Sequence, residues 1–404
     1  MKLSKWIIFL FLVMVWGSCT KDESLETTDG IVKTIDSVRL DTHLRLIQLD
    51  DGKYIALCQG KMIKLDATCN VEWKKQVTAL SQIRAAAADP GIGFTLFGLP
   101  ANAQSQTSLY ACRYDRDGNF IDGHAVNANG PADYTQIPAF IIPLSNGGYA
   151  ITTSSMFSNS GLLKILDANF NLLYSRAVLP SADYSVLTIQ NVCELPNGDF
   201  AISAAVGESK FMGLAYIHPA LILTGPNGII KSTCITGDSV HSAMSYTVTP
   251  YHDGFFAVTS DMADWGGSQG SFVDYYGSTC IAGSIRIDKY NTEGQLTDSR
   301  NISGYPGFGL IKSVRPVSDG GFILCGTVNN HGSSVTVSKT KIYVCKLDAN
   351  LNQQWSKVIQ TTYQSIGIDA VPEADGGFLV TGNLNSFNTN EQIVMIKMDA
   401  NGNY

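Results

Sequence analysis

DGGFILCGT (319–327) is the stretch on which the fold turns. Laid beneath it, the chain yields DGGFLVTGN (375–383), NGGYAITTS (146–154), NGDFAISAA (197–205), DGFFAVTSD (253–261) and DGKYIALCQ (51–59). A degenerate copy, GIGFTLFGL (91–99), makes seven. Self-similarity at a fixed period marks a repeat architecture. The aromatic anchors read as Tyr54, Phe94, Tyr149, Phe200, Phe256, Phe322 and Phe378, with a mean spacing of (378 − 54)/6 = 54 residues. Asp or Asn followed by Gly supplies a tight turn, because both tolerate positive φ, and an alternating apolar strand follows it.

Each copy carries a second piece. KLDANLNQQW (346–355) is echoed by KLDATCNVEW (64–73), RYDRDGNFID (113–122), ILDANFNLLY (165–174), LTGPNGIIKS (223–232) and KYNTEGQLTD (289–298), and the series closes with KMDANGNY (397–404). These read as strand, Asx-and-Gly turn, strand. An apolar strand such as IKSVRPV (311–317) or IQNVCEL (189–195) also precedes the Asp-Gly turns. The unit is therefore four antiparallel strands, A to D. Seven such units predict an all-β, seven-bladed β-propeller spanning residues 30–404.

The ends of the repeat region bear on closure. The last copy stops at Tyr404, after its C–D turn, without a strand D. GIVKTIDSV (30–38) resembles GIIKSTCIT (228–236), a D strand. An N-terminal strand is thus expected to complete blade 7 and leave the ring with no free edge. The first full strand A is expected to begin near His43.

Composition agrees with one large β fold. The chain has 404 residues, a length for which two or three domains would be the ordinary expectation. A ring of about 28 strands, four to a blade, absorbs that length in one domain. Charged residues are 16%, below the roughly 25% usual for globular proteins. Gly is abundant at 38, as many tight turns require, and the formal net charge of −7 excludes a nucleic-acid binder that relies on a basic stripe.

Residues 1–18 stand apart. Lys2 and Lys5 precede an apolar run from Trp6 to Trp16, and Gly17 and Ser18 lead into Cys19. The run is too short to span a bilayer and has the layout of a cleaved secretory signal. Small residues just before a Cys resemble the lipobox of bacterial lipoproteins, and CTKDES (19–24) resembles the export signal of Bacteroidota-type surface lipoproteins. The DGG-F and LDANGN-W repeats are likewise similar to secreted propeller-like proteins of those bacteria. The resemblance implies lipidation at Cys19, a polar tether over 19–29, and an outer-membrane, surface-displayed location. Cleavage would leave a net charge of 26 − 35 = −9.

Chemistry-bearing motifs are sparse. DRDGN (115–119) and DANGN (399–403) look like fragments of calcium loops but lack the EF-hand spacing, and Asx turns explain their recurrence at one point of the repeat. No metal or cofactor is expected. Eight cysteines follow Cys19. Cys325 and Cys345, on adjacent strands B and C of blade 6, are the best candidate disulfide pair, although buried free thiols fit the apolar strands better. The six His occur singly, and no nucleophile elbow or phosphate loop is present.

What functional signal exists lies in the connections. The longest B–C segment, SDMADWGGSQGSFVDYYGST (260–279), belongs to blade 5. It holds Trp265, Phe272, Tyr275 and Tyr276 with Asp264 and Asp274; aromatic faces stack on sugar rings and carboxylates accept hydroxyl hydrogen bonds. The alternative is a loop packed on its own aromatics. ADY recurs at 132–134 and 182–184, so Tyr134 and Tyr184 could share a rim with Tyr305 and Tyr363, or simply repeat a blade-to-blade contact. Three functions fit: a surface recognition protein for a glycan or protein ligand, a propeller enzyme such as a glycan lyase or hydrolase, and a structural subunit of an outer-membrane complex.

Overall fold

The computed structural model describes residues 31–35, 46–58, 60–101, 109–126, 137–155, 160–178, 184–208, 217–235, 242–252, 254–262, 271–273, 279–281, 285–302, 308–329, 340–359, 361, 364–384 and 392–404. Among these residues there is no helix, and so none long and apolar enough to cross a membrane. Seven four-stranded antiparallel sheets form the ring, each built in the order A-B-C-D. Blade 1 starts at Ile47–Gln48, and the A strands of blades 2 to 7 are Leu80–Asp89, Ile137–Pro143, Tyr184–Glu194, Ser242–Tyr251, Phe308–Pro316 and Ser365–Pro372. Successive A strands touch, which makes them the inner wall around the axis.

Blade 7 closes as expected. Ile31–Ile35 is its strand D and pairs antiparallel with Gln392–Met398, in the register Ile31↔Lys397 to Ile35↔Ile393. The ring has no open blade, and the unpaired edge of the C-terminal strand is covered by backbone from the other end of the chain. The ladder of blade 1 opens at Ile47; His43 lies outside the described residues.

The A–B turn explains the two glycines of the repeat. In blade 3, Gly147 has φ +83 and donates its N–H to Leu144 O at 2.9 Å, while Asn146 Oδ1 accepts from Gly148 N at 2.9 Å. A Cβ on Gly148 would lie 2.2 Å from Leu166 O on strand C, so the second position must also be bare. Blade 5 departs from this. Its turn is one residue shorter, with His252 at φ +41 and Tyr251 paired to Gly254. The register then makes Phe255, not Phe256, the anchor of blade 5: Phe255 stacks on Tyr290 (5.2 Å, 10°) as Phe94 stacks on Tyr114 (5.5 Å, 9°).

The C–D turns are Asx turns throughout their Asp copies. Asp348 Oδ1 accepts from the N–H groups of Asn350 and Asn352, each at 2.8 Å, and Oδ2 accepts from Asn352 Nδ2 at 3.0 Å. Asp115, Asp167 and Asp399 repeat the arrangement, and their carboxylates are held below the usual range by these donors. The residue three after this position is left-handed in every blade, and its size is set by the neighbour. Gly118, Gly228 and Gly402 lie under Trp73, Tyr174 and Trp355 of the preceding blade, where a Cβ would come within 2.4 to 2.9 Å of the ring. Where the preceding blade offers only Asp122 or Asp298 at that point, the position is a buried Phe170 or Leu351 instead. In these five outer seams one bulky side chain is supplied from either side, whereas Gly294 of blade 5 faces Ser232.

The inner seams follow a second rule. The position that ends strand A is Leu49, Leu144, Leu195, Tyr251 or Val317 in five blades, and the anchor of the next blade is then Phe94, Phe200, Phe255, Phe322 or Phe378 packed against it. In the other two blades the position is an acid and the next anchor is Tyr. Tyr149 OH donates to Asp89 Oδ1 at 2.6 Å, and Tyr54 OH donates to Glu373 Oε1 at 3.2 Å. A buried carboxylate must find a donor, and the phenol hydroxyl is the one atom by which Tyr exceeds Phe.

Candidate functional site

The faces of the ring differ in kind. A–B and C–D turns emerge on one face and, apart from the shortened A–B turn of blade 5, keep the same backbone hydrogen bonds from blade to blade. B–C and D–A connections emerge on the other, and there the B–C lengths diverge: blade 1 joins Cys58 to Lys61 directly, whereas blade 5 runs from Met262 to Ile285. Within that insertion lies an additional two-stranded antiparallel sheet, Ser271–Val273 with Thr279–Ile281.

Two of the predicted ligand residues lie on described strands. Phe272 sits in the small sheet, its backbone paired with Cys280, and Tyr184 opens the 11-residue strand A of blade 4, paired with Glu208. Trp265, Tyr275, Tyr276, Asp264, Asp274 and Tyr134 lie outside the described residues, as do Tyr305, Tyr363 and Cys19. Asp274, Tyr275 and Tyr276 belong to the segment that joins the two strands of the insertion.

The inner wall carries a polar belt. Strand A bulges in blades 2 to 7, between Ile83 and Ala85, Pro138 and Phe140, Ile189 and Asn191, Ser245 and Thr247, Ile311 and Ser313, and Gly367 and Asp369. In blades 4 to 7 the residue after the bulge ties blades together in pairs. Asn191 Nδ2 donates to Thr247 Oγ1 at 2.7 Å, and Ser313 Oγ donates to Asp369. Arg315 adds a bidentate pair to Asp369, through Nε at 3.0 Å and Nη2 at 2.6 Å. With Ala370 N–H also donating, four donors occupy the fully buried carboxylate of Asp369. Burial works against the Arg315 charge, but Asp369 outweighs it and raises the guanidinium pKa. A carboxylate so committed is a clamp between blades 6 and 7 rather than a proton acceptor.

A bulge turns its extra residue out of the ladder. Strand A is bounded by strand B and by its neighbours, so a bulge residue that keeps some exposure faces the channel. Half-buried Arg84, Gln190 and Lys312 occupy three of these positions, whereas Ile368, at the bulge of blade 7, is buried in the core between blades 7 and 1. The first three bring two cations and an amide to one level of the channel wall. Sequence reading passed over them, although a lone polar residue in IRAAAA (83–88), IQNV (189–192) and IKSV (311–314) was a visible signal.

The thiols of four described cysteines are held far from their reactive form. Cys58, Cys69, Cys112, Cys193, Cys234, Cys325 and Cys345 are free thiols, and burial pushes Cys58 up to about 11 and Cys112, Cys193 and Cys345 up to about 12. Thiolate, not thiol, is the reactive form. Cys325 pairs across to Val344 and Cys345 to Leu324, so the two side chains point to opposite faces of blade 6 and pack in different cores. That geometry rules out a bond between them. Among the described residues no group of three or more His, Cys, Asp or Glu side chains is placed to hold a metal ion.

No protein-family model matches the chain, and no curated protein matches it in sequence. Solved structures do match. The dihydro-heme d1 dehydrogenase NirN, in complex with DHE, aligns at 11% identity and TM-score 0.50, covering 88% of this chain and 68% of that one. The Pan2 WD40 domain of Neurospora crassa aligns at 12% identity and TM-score 0.48, covering 87% of each chain. A protein of unknown function from Bacteroides caccae aligns at 11% identity and TM-score 0.39, covering 73% of this chain and 87% of that one. At such identities the likeness to NirN is one of fold alone.

Proposed function

We propose that this chain is a surface-anchored recognition lipoprotein, with a signal peptide at 1–18, a lipid on Cys19, a tether to residue 29, and a ligand held on the B–C and D–A face. The observation that carries this reading is internal to the molecule. Seven copies of one scaffold keep their turns on one face, the A–B turn of blade 5 excepted, and vary far more on the other, as a rigid framework with functional loops does. The largest departure is the blade-5 insertion with its own small sheet.

Its residues favour a glycan. Trp265, Phe272, Tyr275 and Tyr276 supply apolar faces for sugar rings, and Asp264 and Asp274 supply acceptors for hydroxyls. Arg84, Gln190 and Lys312 add polar partners at the channel wall for an acidic or N-acetylated sugar. The test is a glycan array probed with the soluble chain from residue 20. Binding is expected, with a loss of tenfold or more in Trp265→Ala, on the order of one stacking contact. Binding unaffected by that change removes the blade-5 loop from the site. Silence across the array points instead to a protein ligand. Mass spectrometry of the full chain, against Cys19→Ala, tests the anchor separately.

A further inference from the structure

Strands alternate in direction within a blade, so strand D of blade 7 starts on the same face as every A–B and C–D turn. Ile31, its first residue, pairs with Lys397 next to the C–D turn of blade 7. The chain upstream of the ring therefore departs from the turn face. Eleven residues separate Cys19 from Ile31. Fully extended they reach about 40 Å, while a seven-residue strand gives the ring a height of about 23 Å. A lipid on Cys19 lies nearest the turn face, and placing the opposite face on the bilayer would use more than half of the tether's extended reach.

That face is dressed for the position. Val71, Ile92, Phe120, Ile121, Leu173, Ile229 and Leu296 are the exposed large apolar side chains among the described residues, and all seven lie in or beside its turns. Phe120, Leu173 and Ile229 are 53, 57 and 59% exposed. Half-buried Trp73, Tyr174 and Trp355 stand among them, their rings in the outer seams and their polar atoms turned inward: Tyr174 OH donates to Pro226 O, and Trp355 Nε1 to Ala400 O at 3.1 Å. Some of the charge on this face is matched within the protein, whereas the Asx-turn carboxylates of Asp115, Asp167, Asp348 and Asp399 are held by amide donors and add negative charge to it. Lys53 pairs with Glu72, Arg116 with Asp50, Lys64 with Asp117 at 3.2 Å, and Lys231 with Asp199 at 2.6 Å. Paired charges lose less on approaching a low-dielectric surface than free ones.

We infer that the turn face is the membrane-apposed face, seating its apolar rim on the lipid headgroup layer and turning the variable loops outward. This rests on the lipid-anchored reading above. The occupant is a phospholipid surface; a second copy of the chain is the competing occupant.

The three Trp residues after Cys19 separate the faces: Trp73 and Trp355 at the turns, Trp265 in the blade-5 B–C segment. The lipidated full chain is reconstituted in vesicles of phosphatidylethanolamine and phosphatidylglycerol containing brominated acyl chains. In Trp265→Phe, most of the remaining emission should be quenched. In the Trp73→Phe, Trp355→Phe double variant, emission from Trp265 should survive. Thermal melting checks that both variants are folded. Phe120→Ser with Ile121→Ser and Leu173→Ser should abolish quenching while flotation with vesicles persists through the lipid. The reverse quenching pattern, or none in either variant, overturns the orientation but leaves the anchor standing. A full chain that carries no lipid and does not float overturns both. Concentration-dependent dimers that form without vesicles, and that the triple Ser variant dissolves, assign the rim to self-association and overturn the proposal.

Discussion

The inner seam between blades 2 and 3 and the inner seam between blades 6 and 7 occupy equivalent places in the repeat and are held by opposite physics. At the first, Asp89 meets Tyr149 and Thr95 in a buried polar cluster. At the second, Val317 meets Phe378 among apolar neighbours. The difference is carried by two positions in separate blades that change together. Acid goes with Tyr, and an apolar residue goes with Phe, at all seven seams. A single repeat therefore does not define its own core; half of each inner seam is written one blade earlier.

The largest effect is expected at the closing seam. Deleting residues 30–38 removes the strand paired to Gln392–Met398 and bares an edge within the blade that carries Glu373. We expect loss of the cooperative melting transition in scanning calorimetry; a truncated chain that melts like the intact one would remove the closure argument.

Substitution at a seam comes next. Tyr149→Phe leaves Asp89 short of a donor in a buried site and should cost about 1–3 kcal/mol in urea unfolding. Adding Asp89→Leu makes the seam apolar, like its neighbours, and should recover most of that loss. A double variant no more stable than the single one would mean that the pairing rule does not describe the energetics. The outer seams give a smaller effect. Gly118→Ala forces a Cβ toward Trp73 from a backbone at φ +69, and about 1–2 kcal/mol of destabilisation is expected. The readout is the shift in denaturation midpoint, and an unchanged midpoint would show that the Trp73 ring moves aside freely.

The smallest effect is in pH dependence, where the two kinds of carboxylate have opposite signs. Burial raises Asp89 above the usual value, although Thr95 and Tyr149 oppose it. Its contribution is fullest below the ordinary carboxylate pKa and is lost as pH rises through the raised one. Asp115, Asp167, Asp348 and Asp399 are lowered, so theirs is present above the ordinary pKa and lost as pH falls through the lowered ones. Asp89→Asn should therefore gain on the wild type as pH rises from the acid range to neutrality. A constant gap between the two melting curves would contradict this.

Much of the ring was legible because turn chemistry is local. Asp or Asn before Gly, and Asp followed four residues later by Asn, each specify a backbone conformation within five residues, and both recur at a regular period. Strand closure by residues 31–35 was legible for the same reason, since a D strand has its own local signature. The anchor of blade 5 was not. DGFF matches the repeat equally well in two registers, and only the shortened turn at His252 selects Phe255. Arg84, Gln190 and Lys312 escaped notice because a bulge changes which way a side chain points without altering the apolar pattern around it.

The sequence by itself determined a seven-bladed β-propeller, its four-strand unit, its closure and the Asx character of its turns, all consequences of local backbone preference repeated along the chain. Tertiary structure alone decided which residues share a seam, which faces of a blade Cys325 and Cys345 occupy, and which polar groups line the channel. Those outcomes depend on contacts between residues some fifty positions apart, brought together only when one blade is laid against the next.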